Sequence, residues 1–336
     1  MTTACILGCA GARLSDEERA FFRETQPWGF ILFRRNVETP EQLRSLTEAL
    51  RGCVGRSDAP VLIDQEGGRV QRMGPPHWPV YPPGRAYGQL PPAVRRQTAR
   101  LGARLIAHDL AAVGINVDCL PVLDVPAAGA HDVIGDRAYA ATPDGVAELG
   151  RAAAEGLMDG GVLPVIKHIP GHGRAGADSH HALPIVAAPL AELEADFAPF
   201  RALADMPMAM TAHVVYAAVD ADQPATTSLH VIDRIIRDRI GFKGLLMSDD
   251  VSMKALSGDL GALAHAALRA GCDIVLHCNG DMGEMRAVVE GSSGLAGAAE
   301  ARAAAALARI APASAPFDAA EARARFEAAF EGRWAA

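Results

Sequence analysis

Phe242-Lys-Gly-Leu-Leu-Met-Ser248-Asp249-Asp250-Val-Ser-Met-Lys254 is the stretch on which the fold turns. A short apolar run ends abruptly on two adjacent carboxylates, and helical periodicity resumes behind them. Apolar runs of this length, bounded by polar residues, read as strands of a parallel sheet buried on both faces. Outward from this segment the pattern recurs at 4–8, 30–33, 61–65, 116–123, 163–168, 208–213 and 273–277, which with 245–249 makes eight predicted strands. Amphipathic stretches predict helices at 15–25, 40–52, 91–113, 144–160, 190–204, 229–240, 251–270 and 282–290. Thr39 before Pro40 is a good N-cap followed by proline at the first helical position. Strand and helix alternating in this way predict an α/β chain folded as a single (β/α)8 TIM-type barrel over about residues 4–290. The Ala-rich remainder predicts helices at 297–310 and 318–331, a C-terminal helical extension over about 291–336 that completes one domain, 1–336. The Pro/Gly-rich patch at 74–84 reads as a long βα loop.

The bulk numbers remove several function classes. Of 336 residues half are apolar, enough for a large core, while 32 Lys+Arg against 40 Asp+Glu leave a net charge of −8 and no long basic run. Nucleic acid is therefore not an expected partner. No apolar run approaches the ~20 residues of a membrane-spanning helix, so no membrane is expected either. The start, Met1-Thr-Thr-Ala-Cys-Ile-Leu-Gly-Cys-Ala10, lacks a basic segment and suits a first strand better than a signal. Cys5, Cys9, Cys53, Cys119, Cys272 and Cys278 are scattered without CxxC pairs, as expected of reduced core thiols in a cytoplasmic protein. Nothing in the sequence reveals the oligomeric state, and a monomer is the expectation.

In a barrel of this kind the chemistry belongs just past the C-terminal ends of the strands. Asp64-Gln65-Glu66, Asp124, Lys167-His168, His213, Asp249-Asp250 and His277-Cys278-Asn279 all fall there. The densest group is Lys167-His-Ile-Pro-Gly-His-Gly173 followed by Asp178-Ser-His180-His181, which puts four of eleven histidines into fourteen residues of a Gly-rich loop. Asp178, two residues from His180, can orient that imidazole and tune it for proton transfer, whereas His172 and His181 read as bonded to backbone. A metal site is the competing reading, with His168, His172, His180 and Asp249 as ligands, but neither an HxH nor an HExxH pattern is present. No metal and no cofactor are expected. Asp250 reads as the cap of the helix that follows, and Asp249 as a carboxylate nucleophile that remains ionised. Asp64, Arg69 and Arg72 form an acidic and basic set suited to the hydroxyls of a small polar ligand. Arg137 reads either as a further member of that set or as a surface ion pair.

These blocks together resemble glycoside hydrolase family 3, in particular its compact bacterial β-N-acetylglucosaminidases. The resemblance runs through Gly29-Phe-Ile-Leu-Phe33…Asn36, Asp64-Gln-Glu-Gly-Gly-Arg-Val-Gln-Arg72, Val133-Ile-Gly-Asp-Arg137, Lys167-His-Ile-Pro-Gly-His-Gly173, Asp178-Ser-His180, Ala212-His-Val214 and Ser248-Asp-Asp250, in the family's order from about residue 5 to 290. It implies Asp249 as nucleophile, His180 as general acid and base with Asp178 as its dyad partner, and Asp64, Arg72, Arg137, Lys167 and His168 as the groups that bind the sugar. It further implies release of N-acetylglucosamine from peptidoglycan-derived muropeptides and saccharides, through a covalent intermediate, in cell-wall recycling. A histidine acid/base departs from the usual pair of carboxyl groups. A phosphorylase, with phosphate in place of water, would use the same residues, and product analysis in phosphate buffer separates the two.

Overall fold

The computed structural model describes residues 1–179, 182–310 and 317–331. Eight parallel strands close into a barrel: β1 (Thr3–Leu7), β2 (Pro27–Leu32), β3 (Val61–Ile63), β4 (Val117–Asp118), β5 (Leu163–Ile169), β6 (Met208–Thr211), β7 (Leu245–Asp250) and β8 (Ile274–His277). Each pairs with its neighbours in chain order, and β1 closes on β8 with Cys5 opposite Val275 and Leu7 opposite His277. Alternate residues divide between two cores. Ala4, Ile6, Leu62, Val165, Met208, Met247 and Ile274 fill the barrel, while Cys5, Leu7, Phe30, Ile63, Ile166 and Val275 face the surrounding helices. With both faces buried, the strands read as continuous apolar runs rather than alternating ones. All six cysteines are buried and free.

Two elements differ from expectation. The strand predicted at 116–123 is regular only over Val117–Asp118, because Pro121 has no N–H to give to the ladder; Val122 then bridges back to Lys167. The helix predicted at 251–270 begins only at Leu260, capped by Asp259, and residues 251–259 form turns. Asp250 is not a helix cap. Its carboxylate takes the N–H and hydroxyl of Ser252 and the N–H of Cys278, which turns the chain across the barrel mouth. The remaining helices stand close to where they were expected, with Ser15 and Glu18 forming a reciprocal cap on Asp16–Thr25. The segment Val231–Arg239 is wound with π-type pairing, and Ile240 N–H still reaches back five residues to Ile235.

The extension contributes helices Gly297–Leu307 and Ala319–Ala329. The second packs on helix Pro92–Ala111 and sets Phe326 and Phe330 against Tyr87. Among the described residues no helix is long and apolar enough to cross a membrane.

Candidate active site

The C-terminal ends of the strands open into a cavity of about 380 Å³. Its floor includes Ile31, Met210 and Leu276, and its walls carry the polar groups. Asp64, Arg72, Arg137, Lys167, His168 and Asp249 all line it, although up to 185 residues of sequence separate them.

One wall is an ion-pair network. Asp64 and Glu66 are two residues apart in extended chain, so their side chains emerge on the same side. Lys167 bridges them, with Nζ 2.8 Å from Asp64 Oδ1 and 2.7 Å from Glu66 Oε1. Arg72 donates to Asp64 Oδ2 at 3.0 Å, and Arg137 grips Glu66 through two parallel bonds of 2.8 Å. Arg137 is thus a buried ion-pair partner and not a surface one. Burial alone would raise both acids, but Lys167 with Arg72 holds Asp64 well below the usual carboxylate range. Glu66 meets the same opposition from burial, and Arg137 with Lys167 holds it at about 2. Five buried or half-buried charged groups, Asp64, Glu66, Arg72, Arg137 and Lys167, therefore persist as charges in the cavity wall.

The loop that carries these groups folds back on itself as a ribbon, Gln65–Gly67 against Val70–Gln71. Gly67 turns at φ +95°, and a Cβ there would lie 2.3 Å from the Pro82 carbonyl oxygen, so the position admits only glycine. Gln65 braces the turn, accepting from the N–H groups of Arg72 and Met73 at 3.0 Å each.

Asp249 stands at the end of β7. Its Oδ1 accepts the Asp250 N–H at 2.8 Å, and its own N–H reaches the Thr211 hydroxyl at 3.3 Å. Burial opposes its ionisation, yet the fields of His213, His168 and Lys167 and the bond from Asp250 outweigh it, and the carboxyl is held below its ordinary value. His213 is fixed at both nitrogens, by the Thr226 hydroxyl at 2.7 Å and the Asp250 carbonyl at 2.9 Å.

The third group centres on Asp124. One oxygen meets His168 Nδ1 at 2.7 Å and the other accepts the His172 N–H at 2.6 Å. The carboxylate fixes the Nδ1 proton of His168 and thereby its tautomer. His172, expected to bond backbone with its ring, instead meets the Ser179 hydroxyl at 3.2 Å through Nε2 and lines the cavity. Ser179 also lines the cavity, and its carbonyl accepts the Ala255 N–H at 3.1 Å. Asp178, one residue earlier, is partly buried; His180 and His181 lie outside the described residues. Among the described residues, no three His, Cys, Asp or Glu side chains converge as a metal-ligand set.

Glu66, Asp124 and Thr211 are members of the site that sequence reading did not assign a role. Glu66 carried a usable signal, its two-residue spacing from Asp64. Thr211 carried none, since its part is set by the register of β6 against β7.

His172 provides a pH test. Burial, and secondarily the neighbouring His168, lowers it from the ordinary 6.5 to about 4. Its Nδ1 has no partner among the described residues. The unfolded chain therefore binds a proton between pH 6.5 and 4 that the folded chain refuses, and stability falls as pH falls through that window. Denaturant titrations at pH 7 and 4.5 should show this loss, and His172→Gln should reduce it. The depressed carboxylates act lower, below about pH 4, so an equal loss in His172→Gln would assign the effect elsewhere.

Comparison with known proteins agrees with the geometry. The glycosyl hydrolase family 3 N-terminal domain profile matches residues 5–313. The chain is 42% identical over 282 residues to a β-hexosaminidase of Alkalilimnicola ehrlichii, covering 82% of this chain and 80% of that one. It is 41% identical over 284 residues to a β-hexosaminidase of Bordetella avium, with the same coverage of 82% and 80%. Among solved structures, NagZ of Neisseria gonorrhoeae in complex with N-trifluoroacetyl-D-glucosamine superposes with a TM-score of 0.85 at 33% identity, over 99% of this chain and 98% of that one. A family 3 β-N-acetylglucosaminidase of Paenibacillus sp. superposes with a TM-score of 0.85 at 31% identity, over 97% and 67%. A closed parallel barrel, a cavity at its C-terminal rim and these relatives together place the chain in glycoside hydrolase family 3, as a β-N-acetylhexosaminidase.

Proposed function

We propose that the chain is a retaining exo-β-N-acetylglucosaminidase that removes terminal N-acetylglucosamine from peptidoglycan fragments, GlcNAc-1,6-anhydroMurNAc and its peptides, during cytoplasmic cell-wall recycling. The observation that carries this reading is an ionised Asp249 at the end of β7, in one cavity with the Asp64–Lys167–Glu66–Arg137 network. Asp249 attacks the anomeric carbon and the bond to the aglycone breaks, while the His180 imidazolium gives its proton to the departing oxygen. In the second step a water gives its proton to neutral His180, its oxygen bonds to the anomeric carbon, and Asp249 is released. Asp178 orients and charges His180, since a carboxylate beside an imidazole favours its protonated form. Asp64, Arg72, Arg137, Lys167 and His168 hold the sugar hydroxyls. The substrate reading draws support from the relatives' activity and from the N-acylated glucosamine bound by the Neisseria protein.

The deciding experiment sets an aryl β-N-acetylglucosaminide beside the matching β-glucoside. The acetamido sugar should be strongly preferred, and equal rates would sink the substrate assignment. Arg72→Ala leaves Asp64 with one cation fewer and the sugar with an unmatched hydroxyl, worth ~1–3 kcal/mol in kcat/KM. An unchanged kcat/KM would remove Arg72 from the sugar-binding set.

A further inference from the structure

Helix Ala319–Ala329 lies beyond the matched family domain, yet it reaches the wall of the site through one residue. Tyr81 is fully buried. Its hydroxyl donates to Asp109 on helix Pro92–Ala111 at 2.6 Å and accepts from Arg323 at 2.8 Å. The Arg323 guanidinium stands 5.0 Å over its ring, and Phe326 meets the ring edge at 6.2 Å. Its backbone faces the other way. The Tyr81 carbonyl accepts the Gly68 N–H at 2.8 Å, and the Tyr81 N–H donates to Gln71 at 2.9 Å. Gly68 and Gln71 belong to the ribbon between Glu66 and Arg72, and the next residue, Pro82, is the one against which Gly67 is packed. Gln65 braces the ribbon inward, Arg69 ties its tip to the carbonyls of Asp132, Val133 and Ile134, and Tyr81 links it to the C-terminal helix.

We infer that the C-terminal helix positions the sugar-binding wall: Arg323 and Tyr81 are positioning residues that set the ribbon carrying Asp64, Glu66 and Arg72. The inference rests on reading that wall as the sugar-binding subsite. Asp249 and the loop of Asp178 hang from β7 and β5 rather than from the ribbon, so its displacement weakens substrate binding more than the chemical step.

The test compares Tyr81→Phe, Arg323→Ala and Arg323→Lys on an activated aryl β-N-acetylglucosaminide, with rates normalised to active sites titrated by a slow-turnover fluorinated sugar. Loss of one or two hydrogen bonds should raise KM roughly 3- to 10-fold. Inhibition by N-acetylglucosamine should weaken by the same factor, with kcat within about 2-fold, and Arg323→Lys should recover part of both. A lowered Tm with KM and inhibition unchanged would make the helix a mere support and overturn the inference. Arg72→Ala is the control. If it moves neither KM nor inhibition, the subsite reading itself falls; if it moves both while the Tyr81 and Arg323 variants do not, only the positioning role falls.

Discussion

Asp249→Ala should lose on the order of 10⁴-fold or more in kcat on aryl β-N-acetylglucosaminides, the scale seen when a covalent nucleophile is removed. Folding should be nearly intact, because Asp249 is bonded chiefly to groups that have other supports: its N–H to Thr211, which also bonds Thr226, and its carboxylate to the adjacent backbone. A slow-turnover fluorinated sugar should label the wild type on a peptide containing Ser248–Asp250. His180→Ala should behave differently, losing rate on poor leaving groups and little on activated aryl groups that depart without a proton. An adduct on another residue, or an oxazoline product with no adduct, would transfer the attack from Asp249 to the substrate's own acetamido oxygen.

Lys167→Met should be the most destabilising single change in the site. It leaves Asp64 and Glu66 side by side in a buried wall with one arginine each, and breaking a buried pair in this way costs about 3–5 kcal/mol. The pH dependence identifies the cause. In the wild type both acids are depressed, so they stabilise the fold above their ordinary values and that stabilisation fades as pH falls toward about 2. Without Lys167, burial is opposed by one arginine at each acid, and both carboxyls titrate higher than in the wild type. The gap between variant and wild type should therefore be widest near pH 7 and narrow as pH falls through 4. A gap constant with pH in chemical denaturation would attribute the loss to packing.

The barrel was legible because its strands are buried on both sides. Leu163–Ile166 and Leu245–Met247 leave no polar face to confuse the reading, and eight such runs alternating with helical stretches imply the parallel barrel. The site was legible where a charged group ended such a run, as at Lys167 and Asp249. It was not legible where the decisive relation is long-range. Arg137 meets Glu66 across 71 residues, and no periodicity encodes that pairing. Local chemistry failed at Asp250, whose side chain can cap a helix or bond a turn; Ser252 and the distant Cys278 N–H decide for the turn. The π-winding of Val231–Arg239 was hidden as well, since apolar spacing near 3.6 does not distinguish five-residue from four-residue pairing.

The pairing of β1 with β8 has a consequence for the order in which the protein can be made. β1 ends at Leu7 and its second neighbour begins at Ile274. At ribosomal rates of about 5–20 residues per second, roughly 15 to 50 seconds of synthesis separate them. Throughout that interval the nascent chain carries β1 with its far edge unpaired, an open row of backbone donors and acceptors of the kind that recruits foreign strands. The yield of this enzyme in a cell should therefore respond to translation speed and holding chaperones as well as to the stability of the finished barrel.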